Sequence, residues 1–218
     1  MLLTNQEKLL DEMFDKTNEY FFKGKLEKPV ITIQSQGSKK NILGWCTAKK
    51  SWEEKDNTEK EYYEINIVAE YLNNSLEEIF ATLQHECIHL ENLILEIPDC
   101  SANNKYHNKK FKEACLNRGL EVKHDSKVGW GITFLNEEGK KFFEDKISSI
   151  NGINELNKVH RKIFLKEKKE NLNKMYGYEC DCGIHIKSKI NEEELEITCD
   201  KCASKFKQVE SKRGRKSH

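Results

Sequence analysis

His85-Glu86-Cys87-Ile88-His89 carries two imidazoles four residues apart and a carboxylate beside the first. On an α-helix that spacing puts both rings on one face, where they can take the same metal ion. Glu86 falls on the adjoining flank, within reach of a water molecule from which it could take a proton. This is the HExxH pattern, whose chemistry is zinc-assisted hydrolysis of a peptide bond. Its first requirement is a helix. Ser75 and Glu78 are spaced as a capping box, which satisfies free amides at a helix start. Leu76, Ile79, Phe80, Leu83, Cys87, Leu90 and Ile94 then recur as one apolar stripe. His85, His89, Thr82 and Glu86 lie off that stripe. One side of the helix is therefore expected to pack on a core while the other faces a cleft.

A catalytic zinc takes three protein ligands and keeps a fourth position open. The extended pattern, with a glycine and a third histidine just downstream, is excluded because Asn92 and Leu95 occupy those positions. His107, Glu113 and His124 remain. A helix is expected from about Asn104 to Arg118, closed by Gly119. His107 would open it on the face of Phe111, Ala114, Cys115 and Arg118, pointing inward, whereas Glu113 falls off that face. Tyr106 and His124 are candidates for stabilising an oxyanion, by nearness to the motif.

A second cluster of metal-binding types lies near the end of the chain. Cys180-Asp181-Cys182 and Cys199-Asp200-Lys201-Cys202 are separated by sixteen residues. Two close cysteine pairs joined by a hairpin supply the four soft donors of a structural zinc. Ile184 to Ile190 and Leu195 to Thr198 would be its strands. Such a small module gains its folding free energy from the metal. Cys46, Cys87, Cys100 and Cys115 have no paired spacing and are expected to be plain thiols. Lys205, Lys207, Lys212, Arg213, Arg215 and Lys216 follow the last cysteine, opposed only by Glu210, and suit contact with a phosphate backbone.

The elements that must position these groups are legible in outline. Thr4 with Glu7 reads as a capping box for a helix with Leu9, Leu10, Met13, Phe14 and Phe21 on its apolar face, stopped near Gly24. Val30 to Ile33, Leu43 to Thr47 and Tyr62 to Val68 read as strands, with an exposed hairpin or loop from Lys49 to Lys60 between the last two. Trp130 to Phe134 is a further short strand. Asn136 could cap a helix containing Phe142, Phe143 and Ile147. The strand near Ile65 to Val68 could pair with an extended substrate. Helix, strands, helix and helix in that order indicate an α+β domain.

The chain has 218 residues with 37 acidic and 37 basic side chains, so no bulk charge points to a nucleic acid or a membrane surface. Mean hydropathy is −0.80, and no apolar run reaches the roughly 20 residues of a membrane helix. Met1-Leu2-Leu3-Thr4-Asn5-Gln6-Glu7 lacks the basic and apolar regions of a secretory signal. The expected location is the cytoplasm, where cysteines serve as thiols and metal ligands. Four segments are expected: a metal-site domain over 1–150, a helical connector over 151–175, the cysteine module over 176–209 and a basic tail over 210–218.

Several stretches resemble the SprT-like metalloprotease family. These are Asn18-Glu19-Tyr20-Phe21-Phe22 with Gly24 and Leu26, then Pro29 to Gln34, and then Gly44-Trp45. His85 to His89 followed by Tyr106-His107-Asn108-Lys109-Lys110-Phe111 is similar to that family's HExxH and its downstream His-x-x-x-Phe segment. The resemblance spans about residues 1–135, and a zinc-ribbon tail is common in the family. It implies a minimal zincin-like domain with His85, His89 and His107 as zinc ligands and Glu86 as the catalytic base. Tyr106 and Asn108 stand where the better-known pattern has glycines, and Cys87 replaces a small or aliphatic residue. The family includes a protease of proteins crosslinked to DNA, so the implied function is hydrolysis of protein substrates, with DNA-associated or DNA-crosslinked proteins as candidates. The alternatives are a non-catalytic, zinc-containing nucleic-acid-binding protein and a regulatory protease with one repressor-like partner. The expected cofactors are one catalytic and one structural zinc ion.

Overall fold

The computed structural model describes residues 2–36, 42–102, 105–163 and 175–209. Helix α1 (Leu2–Phe22) buries Leu9, Leu10, Met13, Phe14 and Phe21, the side that the periodicity predicts. Its start differs from expectation: the helix begins at Leu2, so Thr4 lies inside it and caps nothing. Lys23 and Gly24 end it in the left-handed region, and the Gly24 amide donates back to the Asn18 carbonyl at 2.9 Å.

Strands β1 (Val30–Gln34) and β2 (Gly44–Cys46) flank a later strand, which follows β2 in the chain after the hairpin β3 (Trp52–Glu54) and β4 (Asn57–Tyr62). That later strand, β5 (Glu64–Val68), pairs parallel with β1 and antiparallel with β2, in the order β1-β5-β2. All five β5 residues are buried. Ile65 and Ile67 enter the main core. Glu64 and Asn66 point to the opposite face, where Glu64 accepts the indole N–H groups of Trp45 at 2.9 Å and Trp52 at 2.8 Å. Since β5 is paired on both edges, it cannot take an extended substrate, contrary to the expectation for Ile65 to Val68. The outer strand on that side, among the described residues, is β2.

After a 3-10 turn (Ala69–Asn73) comes α2 (Leu76–Ile94). The capping box forms in full, with Ser75 Oγ accepting from the Glu78 amide at 3.2 Å and the Glu78 carboxylate accepting from the Ser75 amide at 3.0 Å. The apolar stripe packs as expected, yet Gln84, Glu86 and Asn92 are buried too. The polar side is therefore covered rather than wet, because α2 packs against β2 and β5 and against a second sheet further along the chain.

That sheet contains β6 (Cys100–Ser101), β7 (Tyr106–His107), β8 (Leu120–Asp125) and β9 (Gly129–Leu135), in the order β6-β7-β9-β8. Between β7 and β8 lies α3 (Lys109–Leu116), capped by Asn108, whose side chain accepts from the Lys110 and Phe111 amides. The helix expected from Asn104 is thus much shorter, and His107 sits on a strand before it. Asn108 terminates the helix because its side chain satisfies the first free amides, leaving Tyr106 and His107 extended. Asn104 lies outside the described residues. Strand β8 was not expected, since its polar residues Glu121, Lys123, His124 and Asp125 mask the alternation.

Helix α4 (Glu137–Phe142), capped by Asn136, continues into a π-helical turn (Phe143–Ile147). Residues 151–163, assigned by sequence to a helical connector, hold one 3-10 turn (Ile153–Glu155). They fold back onto the first unit, burying Ile153 and Leu156 in its core. Gln6 Nε2 donates to the Leu156 and Val159 carbonyls at 2.5 and 2.9 Å. The connector's remaining residues 164–174 and the basic tail lie outside the described residues.

The chain divides into two units, Met1–Ile163 and Phe164–His218. The second is a four-stranded antiparallel sheet of β10 (Tyr176–Glu179), β11 (His185–Ser188), β12 (Glu194–Thr198) and β13 (Lys205–Val209), ordered β11-β10-β13-β12. Its own core is Tyr178, Cys180, Leu195, Cys199 and Phe206. Architecture is mixed, with helices and several small sheets. Among the described residues no helix is long and apolar enough to cross a membrane.

Candidate metal centre

Three imidazoles meet where α2 faces β7. His89 Nε2 lies 3.2 Å from His85 Nε2 and 3.1 Å from His107 Nε2. Zinc–nitrogen bonds of about 2.0–2.1 Å at tetrahedral angles require donors about 3.3 Å apart, so the triad is spaced to hold that ion. The opposite ring nitrogens are all engaged. His85 Nδ1 is 3.1 Å from Thr133 Oγ1, His89 Nδ1 is 2.7 Å from Asp99 Oδ2, and His107 Nδ1 is 3.1 Å from the Val128 carbonyl. A carbonyl or carboxylate acceptor keeps the proton on Nδ1 and leaves the Nε2 lone pair for a metal. The donor set fits zinc, as do the tautomers that these acceptors set in His89 and His107.

Burial, with the neighbouring rings adding to it, depresses the His85 pKa well below its ordinary value, and His107 is lowered to about 4 for the same reasons. Both rings are therefore neutral at pH 7, the form that binds metal. Phe111 supplies the floor. Its ring lies 4.7, 4.5 and 4.6 Å from the ring centres of His85, His89 and His107, stacked on that of His89. The His-x-x-x-Phe spacing works here through a strand followed by the first turn of a capped helix. Gly131 of β9 runs against the His107 ring, and a Cβ there would collide with Nδ1.

Glu86 is 5% exposed. Burial raises its carboxyl to about 7, against the opposing effects of His89 and of a hydrogen bond from the Cys46 amide. That amide belongs to β2, at whose two ends the Leu43 carbonyl and the Thr47 amide bond to β5. By the antiparallel alternation, Gly44 and Cys46 direct their backbone groups outward. Gly44 is tight as well. A Cβ there would sit 2.8 Å from the Asn66 carbonyl and 3.1 Å from Glu86 Oε1.

Neither Glu113 nor His124 joins the histidine triad. Glu113 is exposed on α3 and lines an open cavity of about 440 Å³ with Glu91, Asn117 and Arg118. His124 is exposed on β8 and bonds the Tyr106 hydroxyl at 3.1 Å, with Trp130 edge-on to its ring. Those two side chains satisfy each other. Asp99 and Thr133 went unnoticed in the sequence, because a ring's second partner comes from an unrelated element at no fixed spacing. Burial pushes the thiols of Cys46, Cys87 and Cys115 upward, and that of Cys100 to about 12, which leaves all four unreactive.

In the second unit the sulfurs of Cys180, Cys182, Cys199 and Cys202 lie within 4.8 Å of one another. Cys182 is 3.3 Å from Cys180 and 3.8 Å from Cys199. Its thiol is pushed up to about 12, chiefly by the bond to Cys180, while Cys202 falls to about 6, chiefly through Ser204. Four thiols on two turns form a donor set suited to tetrahedral zinc.

No curated protein and no solved structure matches this chain. The model of the SprT-like family matches residues 10–125, which include α1 from Leu10 onward, the first sheet, the three histidines and Glu86. A match over more than half of the sequence that takes in every residue of the triad leaves one conclusion: the chain belongs to the SprT-like family.

Proposed function

We propose that the protein is a zinc-dependent endopeptidase. The observation that carries this reading is the meeting of three Nε2 atoms beside a buried carboxylate, since a purely structural metal site has no need of a base. His85, His89 and His107 would hold the zinc ion, which would supply a Lewis acid for the scissile carbonyl and for a water that must lose a proton near neutral pH. Glu86 accepts that proton during attack and hands it to the departing amine nitrogen. A hydrogen bond from the Cys46 amide fixes the aim of that carboxylate. Gly44 and the Cys46 carbonyl on β2 offer backbone groups to which an extended substrate can add as a strand. The four cysteines of the second unit hold a structural zinc in this reading, and the module acts as a zinc ribbon.

The nucleic-acid part of the proposal rests on Lys212, Arg213, Arg215 and Lys216. Residues 175–209 themselves carry seven acidic side chains against five lysines, so phosphate contact falls to the tail. The test is cleavage of a DNA-bound protein, with and without the DNA and with a zinc chelator. Chelation should abolish cleavage, and Glu86→Gln should slow it by about 10²–10⁴-fold. Cleavage undiminished by that substitution defeats the mechanism. Cleavage indifferent to DNA removes the nucleic-acid part and favours a protease acting on a single protein partner.

A further inference from the structure

The three imidazoles are not backed alike. His85 leans on a hydroxyl and His107 on a backbone carbonyl, while His89 alone has a carboxylate behind it. Asp99 is itself held from several directions. The same Oδ2 that meets His89 accepts from Asn92 Nδ2 at 2.9 Å, and the Cys100 thiol also donates to the carboxylate. Asn92 lies on α2 one turn beyond His89 and is 3% exposed. The main chain around Asp99 is pinned as well. The Ile97 amide donates to the Asn92 carbonyl at 2.7 Å, the Asn108 amide to the Asp99 carbonyl at 2.9 Å, and Asn108 Nδ2 to the Pro98 carbonyl at 2.8 Å. Cys100, the next residue, pairs with His107 across β6 and β7. The segment from Ile97 to Cys100 therefore ties the helix that carries two ligands to the strand that carries the third.

We infer that Asp99 is a positioning residue that sets the zinc affinity of the triad through His89, with Asn92 locking the carboxylate in place. The inference rests on His85, His89 and His107 being zinc ligands. Its chemistry is local. Asp99 fixes the His89 proton on Nδ1 and turns the Nε2 lone pair towards the other two rings. Its negative charge makes that lone pair a stronger donor and offsets part of the metal's charge.

The test is zinc competition against a chromophoric chelator on the full-length chain at pH 7.5, with His89→Ala identifying the zinc equivalent that belongs to the triad. For that equivalent, Asp99→Ala should bind about 10–100-fold more weakly than the unsubstituted chain. Asp99→Asn should lose less, because an amide oxygen can still accept from Nδ1 while the charge is gone. Asn92→Ala should weaken binding in the same direction without touching the carboxylate. Melting of the zinc-stripped chains separates positioning from plain structural support. A positioning role predicts that Asn and Ala at 99 differ in zinc affinity more than in melting temperature. Affinities within about twofold of the unsubstituted chain would overturn the inference and leave the ligand assignment intact. Equal losses for Asn and Ala that track melting would overturn it too. Full zinc content in His89→Ala would remove both the assignment and the inference.

Discussion

Glu86 sits where a charge is costly, and that cost has a measurable consequence. Its carboxyl rises from 4.5 to about 7 on burial. A group whose pKa is higher in the folded chain stabilises the fold fully below its unfolded value, and that contribution is lost as pH climbs through the folded value. The window here runs from about pH 4.5 to 7. Glutamine has nearly the same shape and no charge to bury. In the zinc-stripped chain, Glu86→Gln should therefore melt higher than the parent at pH 8 and together with it at pH 4. The shift at pH 8 corresponds to roughly 1–3 kcal/mol by the conversion of pKa to free energy. Thermal melts at the two pH values decide the matter, and an equal shift at both would mean that charge burial is not its cause. The same residue would then gain thermal stability as it loses catalysis, the trade expected where a functional group is held against its solvation preference.

At the scale of elements, the site is made by one well-capped helix and one very short strand. Helix α2 could be read from its own residues, since the Ser75–Glu78 box and the apolar stripe are local signals that agree with each other. Removing the cap should be felt as stability rather than chemistry. Ser75→Ala is expected to cost about 0.5–2 kcal/mol, read as a lower denaturant midpoint, with zinc content of the folded chain unchanged. Loss of zinc at native conditions would mean instead that the helix start helps to shape the triad ten residues away. Strand β7 is the opposite case. Two residues cannot announce a strand, and Tyr106 and His107 are extended because Ser101 and Cys100 pair on one side and Gly129 on the other. The local pattern suggested an added helical turn there, and the Asn108 cap denied it. Gly129 and Gly131 matter for a related reason: only a residue without a side chain lets β9 run so close to His107.

At the scale of the whole molecule, the histidine triad and the cysteine quartet lie in two separate compact units. The first unit has a broad core of α1, α2, both sheets and the returning segment through Leu156. The second buries little beyond Tyr178, Leu195, Phe206 and the cysteines, too little to fold a domain of that size without a cross-link or metal. Metal analysis of the purified chain is expected to find two zinc ions. Cys199→Ser should reduce that to one and remove the dispersed amide resonances of residues 175–209 while those of 2–163 persist. Retention of two ions, or of a dispersed spectrum for the cysteine module, would refute a metal-dependent fold there.

The sequence by itself determined the groups proposed to do chemistry and the elements whose signals are local. The HExxH pair and its base, the four cysteines, the capped helix, the hairpin before β5 and the Asn136 cap all depend on residues within a turn or two of each other. Tertiary structure alone decided which side chains meet. It brought His107 to the pair from a strand, set Asp99 and Thr133 behind the rings, kept Glu113 and His124 out of the triad, enclosed Glu86 and made β2 rather than β5 the outer edge. The physical reason is range. Caps and stripes are fixed by hydrogen bonds and side-chain periodicity along one segment, whereas the second partner of an imidazole is fixed by how separate segments pack, and no spacing in the chain records that.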